Sequence, residues 1–355
     1  MRPKLLWHRF SALLSSLLLL AGIVTLAGCG SQSASKPAED DKPKFINGKL
    51  TKEFHLKAPT LQDFNEIIIA DRKGFFKEVG IVIDYTGVVP GGLMAQSVIK
   101  GDNHLFNSGH PITIANARDS GAKIKIVTHS MWDDSDPDKV HITWMAKDDG
   151  KINSPQDLKG KKIAVNNLGG CAELLTLEYL RQNGIAKDQV TLVTMPDKQQ
   201  EQALKQGLVD VAALHNIYQK AARNHGGFKV VTTSYKIGEA AGNGPASGLA
   251  IRAFSEDFIK EYPDVVKAYV AADIKAQHWI NDHYDEALKI AAEELKVDVK
   301  DMAGNVYPPD NYIDEKKISF WVTLMEKNGF AQPGTIKVAD LYTNELNPYY
   351  TGELK

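Results

Sequence analysis

From Phe54 onward, apolar runs of strand length alternate with amphipathic stretches of helix length, and the alternation restarts near Ser154. Such a pattern folds as α/β, with mostly parallel sheets flanked by helices on both faces. In the first pass, 54–59 alternates as a strand. A helix over 65–73 carries Ile67, Ile68 and Ile69, Gly74 stops it, and 81–85 is the next strand. Gly91 and Gly92 open a helix to Lys100, and a short strand spans 104–107. Pro111 then starts a helix that Gly121 ends, and 123–129 is again a strand.

In the second pass, Ser154 and Pro155 suit a helix start, since serine can cap free amides and proline tolerates the first helical position. A strand covers 162–165, a glycine-rich loop covers 166–170, and a helix covers 171–183. That helix sets Leu174, Leu177 and Leu180 on one stripe and stops at Gly184. Strand 190–195, helix 199–206 and strand 209–214 follow. The last hundred residues are helix-rich. A helix from Pro263 repeats Val266, Tyr269, Ala272, Ala276 and Trp279, and 285–295 and 314–327 are two more. Stripes of this kind are core, not cofactor pocket. A chain of 355 residues exceeds what one compact core organises. The expected architecture is therefore two α/β lobes, 49–140 plus 253–347 and 141–252, joined by crossings near 131–141 and 243–252.

The N-terminus sets the compartment. Arg2, Lys4 and Arg9 precede an apolar run over 13–26 that is too short for a comfortable membrane span and ends in Leu26-Ala27-Gly28-Cys29. Small residues before a cysteine fit a signal peptidase that cleaves after the thiol is acylated. Residues 1–28 are thus read as a lipoprotein signal peptide and Cys29 as the lipidated residue. Residues 29–48 are a flexible linker, because 30–43 contains no large apolar side chain to order it. The folded part is expected outside the cytoplasm, anchored to the cell membrane. Cys29 and Cys171 are the only cysteines, so no disulfide forms once Cys29 carries lipid. Losing Arg2, Lys4 and Arg9 takes the net charge from −2 to about −5. A mildly acidic body is a poor partner for nucleic acid.

Four segments carry a resemblance by their order and spacing. They are Ala70-Asp71-Arg72-Lys73-Gly74-Phe75-Phe76-Lys77-Glu78-Val79-Gly80-Ile81, Ile99-Lys100-Gly101-Asp102, Ser154-Pro155-Gln156-Asp157-Leu158-Lys159-Gly160-Lys161-Lys162-Ile163-Ala164-Val165, and Ala203-Leu204-Lys205-Gln206-Gly207-Leu208-Val209-Asp210. Together they resemble the nitrate/sulfonate/taurine-type periplasmic binding proteins of ABC importers, a family that also includes thiamine-precursor binders. The resemblance covers most of the mature chain. It implies a type II periplasmic-binding-protein fold, a small-molecule ligand clamped between the lobes, and an ABC permease with its ATPase as partner. The chain is read as a monomer without a cofactor.

In open α/β sheets, ligands sit at the carboxyl ends of strands. Five segments occupy such positions, and they supply Gln62, Asp63, Phe64, Ser108, His110, His129, Trp132, Asn167, Gly169, Gly170, Cys171, His215 and Asn216 as candidate ligand-binding residues. The stretch 168–172 puts backbone amides at a helix start, where amides and dipole favour an anionic oxygen. Sulfonate binders of the family are often hydroxyl-rich in this loop, whereas Gly170 and Cys171 stand here. Arg72, Arg118, Arg181 and Arg223 fall within helices, so no rim arginine offers a fork to an acid. The expected solute is a small organic or inorganic anion held by amides, Gln62, Asn and His, or a related heterocycle stacked on Phe64 or Trp132.

His110, His129 and His215 lie just past strand ends, a pattern that admits a transition metal. Lone histidines are more often hydrogen-bonding groups, and no metal is assigned. Asp133, Asp134 and Asp136 read as an acidic surface loop. Cys171 has no base paired to it in sequence and reads as a small residue on the cleft floor. Two rivals stand beside a transport receptor. One is an extracytoplasmic sensor presenting its ligand to a signalling receptor. The other is an enzyme on the same fold acting on a pyrimidine or menaquinone precursor, against which the lipobox argues.

Overall fold

A computed structural model describes residues 41–355, so the signal segment and Cys29 lie outside the described residues. Its strands are β1 (Phe45–Ile46), β2 (Lys49–Leu50), β3 (Phe54–Ala58), β4 (Ile81–Tyr85), β5 (Leu105–Phe106), β6 (Ile124–His129), β7 (Ile142–Lys147), β8 (Lys162–Val165), β9 (Thr191–Thr194), β10 (Val211–His215), β11 (Phe228–Thr233) and β12 (Ile251–Ser255). β1 and β2 form a small antiparallel hairpin ahead of the alternating pattern.

The strands group as the restart at Ser154 implies. β3 pairs in parallel with β4, and β12 lies between β5 and β6. The His104 N–H donates to the Lys57 carbonyl at 2.9 Å, bringing β3 beside β5. The second sheet has the order β11-β7-β10-β8-β9. Within it β8, β9 and β10 are parallel neighbours, and β7 runs antiparallel to both β10 and β11. β12 likewise runs antiparallel to β5 and β6. The sheets are therefore mixed, and in each half the opposing strand is the one that follows a crossing. A strand reached through a covering helix returns parallel to its neighbour, whereas one reached from the other half comes in from the opposite end.

Local chemistry sets the element ends. The Asn65 side chain accepts the Ile67 N–H at 3.0 Å and caps the helix Glu66–Arg72. Gly101 and Gly207 close the helices Met94–Lys100 and Asp197–Gln206 with φ of 79° and 73°, a conformation that favours glycine. The long helix Pro263–Asp282 buries Val266, Tyr269 and Ala272 against Leu56, Ile67 and Ile81 of the first group. A second cluster joins Ile112, Ile124 and Trp321 to Trp144, Leu174 and Val211 of the other sheet. Lys42–Lys355 accordingly forms one compact unit.

The two crossing segments run side by side and are tied by Asp133, which is only 2% exposed. Its carboxylate accepts the His141 N–H at 2.8 Å and the Ser247 hydroxyl at 2.9 Å, and its own N–H donates to the Pro245 carbonyl at 2.8 Å. Burial pushes this carboxyl up to about 6, against hydrogen bonds that favour the charged form. The neighbouring acids serve the turn itself: Asp134 accepts the Asp136 N–H, and Asp136 accepts the Asp138 N–H. A second buried knot lies beside them. Arg252, on β12, pairs with Glu66 at 2.6 Å and donates to Ser130 and Asn65.

Candidate functional site

Four side chains that the sequence scatters over a hundred residues meet where the two halves join. His110 caps the helix Pro111–Asp119, which follows β5, and His141 immediately precedes β7. Cys171 begins the helix Cys171–Gln182 after β8, and His215 ends β10. Ligand-capable atoms of His110, His141 and Cys171 lie within 4.8 Å of one another. His215 Nε2 is 3.5 Å from Cys171 Sγ. The ring centroids of His110 and His141 are 4.7 Å apart, and those of His141 and His215 are 4.9 Å apart. Trp321 stacks on His110 at 5.0 Å and is held by its Nε1–H to the Ala246 carbonyl at 2.8 Å. The Asn116 side-chain amide reaches the Gly169 carbonyl at 3.3 Å, so the first half touches the glycine loop of the second.

Each histidine has its own surroundings. His110 Nδ1 contacts the Leu249 carbonyl at 2.8 Å, and His215 Nδ1 contacts the Asp197 carboxylate at 2.9 Å. His141 is 5% exposed and neither ring nitrogen has hydrogen-bond geometry to a partner. Burial lowers His141 to about 4, partly opposed by the nearby Cys171 sulfur. Burial would lower His215 too, but Asp197 and Cys171 outweigh it and hold His215 well above its ordinary value. Burial would raise the Cys171 thiol, yet the surrounding His110, His141 and His215 draw it well below the usual thiol range. These directions draw Cys171 toward the thiolate and His215 toward the protonated ring, with Asp197 behind that ring. The base missing from the sequence around Cys171 comes from a strand end forty-four residues away.

Asp63 lies within electrostatic reach of Arg252, His215 and Asp197. It keeps solvent access yet is crowded by protein, and that desolvation pushes its carboxyl up in spite of Arg252 and His215 nearby. The glycine loop differs from a bare set of amides. The Gly169 N–H donates to the Glu173 carboxylate at 2.7 Å, so an internal acid already occupies part of the helix start. Gly170 is buried, and a Cβ placed on it would lie 2.6 Å from the Asn167 amide. Asn167 itself donates to the Leu168 carbonyl at 3.1 Å.

Other candidates sit elsewhere. His129 is buried with Nδ1 on the Tyr312 carbonyl at 3.0 Å, apart from the three-residue cluster that His110 joins. Phe64 is 2% exposed and packs in a core cluster with Ile68, Ile280 and Tyr307. The Lys317 ammonium lies 4.7 Å above the Trp132 ring. Asn216 bonds the Gly304 carbonyl at 3.2 Å and the side chain of Asn305, whose own amide reaches the Phe64 carbonyl at 3.1 Å. Gln62 is exposed and Ser108 half-buried. Sequence reasoning missed His141, Asp197 and Trp321. His141 precedes a strand that the alternating pattern did not reveal. Asp197 opens a helix that starts two residues before the expected 199, and Trp321 read as core on an amphipathic stripe.

Fold and site together define a periplasmic-binding-protein architecture with a buried, donor-rich junction between its halves. The sequence profile described as NMT1/THI5 like matches residues 62–287, and the chain belongs to that family. It is 27% identical over 204 residues to the taurine-binding periplasmic protein of Escherichia coli (strain K12), a span covering 57% of this chain and 59% of that protein. The alkanesulfonate-binding protein SsuA from Xanthomonas axonopodis pv. citri, solved with MOPS bound, superposes with a TM-score of 0.67 at 16% identity over 82% of this chain and 99% of that one. The periplasmic nitrate-binding protein NrtA from Synechocystis PCC 6803 gives a TM-score of 0.67 at 15% identity, covering 89% of this chain and 90% of that one. Each of the three is described as a binding protein.

Proposed function

We propose that this chain is the lipid-anchored, extracytoplasmic solute receptor of an ABC importer. Cys29 carries the lipid, lobes 49–140 plus 253–347 and 141–252 close over the solute, and a permease with its ATPase receives it. The convergence of His110, His141, Cys171 and His215 on one junction is the observation that carries the reading. Closure would be driven by contacts that both halves make only with the solute between them. The family relationship supports an import role.

The junction is short of positive charge for a sulfonate. Arg252 is already committed to Glu66, the Gly169 amide to Glu173, and Asp63 and Asp197 flank the space. These groups favour a solute that accepts electron pairs over one that brings further negative charge. A thermal-shift panel on the detergent-extracted mature chain tests the reading, using sulfonates, nitrate, bicarbonate, aromatic acids, pyrimidines and metal salts. One solute class should raise the melting temperature and stimulate the cognate permease's ATPase. A panel in which nothing shifts, beside a permease indifferent to this chain, sinks the proposal.

A second reading has one observation behind it. Cys171, His215 and Asp197 form a nucleophile–base–carboxylate series like those of thiol enzymes. Turnover of a candidate substrate, lost in Cys171→Ala, would favour it.

A further inference from the structure

We propose that His110, His141, Cys171 and His215 bind a late first-row transition-metal dication, with Zn²⁺ as its reference, as the solute of this junction. The inference rests on the solute-binding reading and names its solute class.

Donor spacing is the first argument. Four-coordinate zinc, with Zn–N of about 2.0–2.1 Å and Zn–S of about 2.3 Å, needs donor atoms roughly 3.3–3.6 Å apart. His215 Nε2 and Cys171 Sγ already stand at 3.5 Å. Donor atoms of His110, His141 and Cys171 fall within 4.8 Å of one another, so small side-chain rotations close the set.

The second argument is independent. His141 is 5% exposed, and both of its ring nitrogens lack a hydrogen-bond partner. A buried polar group left unpaired is costly, and native folds rarely leave one without a reason. A bond to an ion would satisfy one nitrogen of His141.

The third is the outer support. The carbonyl that His110 Nδ1 meets at 2.8 Å can only accept, so that nitrogen carries the proton and Nε2 keeps the free lone pair. The Asp197 carboxylate likewise takes the Nδ1 proton of His215 at 2.9 Å and turns Nε2 toward Cys171, where an ion would displace any proton that Nε2 carries. A carbonyl or carboxylate behind an imidazole is the arrangement that orients metal-ligating histidines, and His110 and His215 have it. Three imidazole nitrogens and a sulfur suit zinc and its neighbours, and they disfavour Mg²⁺ and Ca²⁺, which take oxygen. His129, which the sequence grouped with His110 and His215, is replaced by His141. On this proposal the site departs from the sequence reading, which assigned no metal.

The test uses the mature chain stripped with a chelator and titrated with Zn²⁺ or Co²⁺. One equivalent should bind. The Co²⁺ form should show a thiolate-to-metal charge-transfer band with the strong visible absorption of a tetrahedral site. Cys171→Ser should lose the band, His141→Ala should weaken Zn²⁺ binding by more than about 100-fold, and Asp197→Asn by about 10–100-fold. His129→Ala should bind as the wild type does. Should a ligand variant fail to fold, Zn²⁺ protection of wild-type Cys171 from alkylation gives the answer without mutation. A Co²⁺ spectrum lacking the thiolate band, or an alkylation rate indifferent to Zn²⁺, overturns the inference. If Zn²⁺ is ignored while an organic solute of the panel stabilises the chain, the metal falls and the receptor reading stands. If Zn²⁺ binds the cluster but the permease never responds, the receptor reading falls and the metal site stands.

Discussion

Two buried polar clusters lie close together in this fold, and they are built on opposite terms. Around Arg252, the guanidinium reaches Glu66, Asn65, Ser130 and the Ile251 carbonyl, with only Nε left unpartnered. Tyr307 adds a bond to Glu66 at 3.2 Å, and Asp273 is held by Tyr269 and Gln277. Burial and the Glu66 charge push Asp273 well above the usual carboxylate range. Around Cys171, by contrast, imidazole nitrogens face one another and a sulfur, and His141 has no partner. A cluster whose hydrogen bonds are mostly spent internally, with Arg252 Nε and Gln277 Oε1 left over, holds the fold. One whose lone pairs are left over is arranged for something the chain does not itself supply.

The sharpest way to break this contrast is Arg252→Met. It strands Glu66 beside Asp273 in the core, and removing one member of a buried ion pair costs about 3–5 kcal/mol. Denaturant unfolding should show a loss of that size, while the molecules still folded respond to solute like the wild type. A loss under about 1 kcal/mol would mean that the Arg252 network is no more structural than the histidine cluster.

Asp133 sharpens the comparison through pH. Its carboxyl sits at about 6 in the fold against 3.8 for an ordinary aspartate, so the folded state binds the proton more tightly than the unfolded chain. Its contribution is therefore fully present below about pH 4 and is lost as the pH rises through 6, by up to about 3 kcal/mol. In Asp133→Asn that pH-dependent slope should vanish. Equal slopes in variant and wild type would show that the carboxyl tying the crossings is not the titrating group.

Gly170→Val comes next. Its Cβ would press on the Asn167 amide at 2.6 Å, an overpacking worth roughly 1–2 kcal/mol once Asn167 yields. The apo chain should stay folded, while any solute-induced rise in melting temperature should shrink or disappear. An unchanged rise would remove the glycine loop from the site.

Much of this was legible before the structure. Strands 81–85 and 162–165 match β4 and β8 to the residue, since each is short, apolar and bounded by glycine or lysine turns. β7 was not legible. Ile142 to Ala146 is buried throughout, so it lacks the alternation that marks a half-exposed strand. With β7 unseen, His141 was a residue in a crossing and not one at the mouth of a sheet. His110, Cys171 and His215 were chosen because strand ends are a rule of topology. Which histidine completes the set depends on how two sheets meet, and no local pattern encodes that. Phe64 and Trp132 show the converse, since an aromatic at a strand end serves a core or a cation as readily as a ligand.

The smallest expected effect is the most telling. Cys171 is 6% exposed and is the only cysteine of the folded unit, and although it belongs to the core cluster of Leu174 and Trp321 its sulfur also meets the His215 ring. Cys171→Ala deletes one atom and leaves little cavity. Its stability should fall within about 1 kcal/mol of the wild type without solute. With solute present the two should part, because only the wild type has a sulfur to offer. A large loss in the apo chain would instead place Cys171 with Arg252 among the groups that hold the fold, and the contrast between the two clusters would collapse.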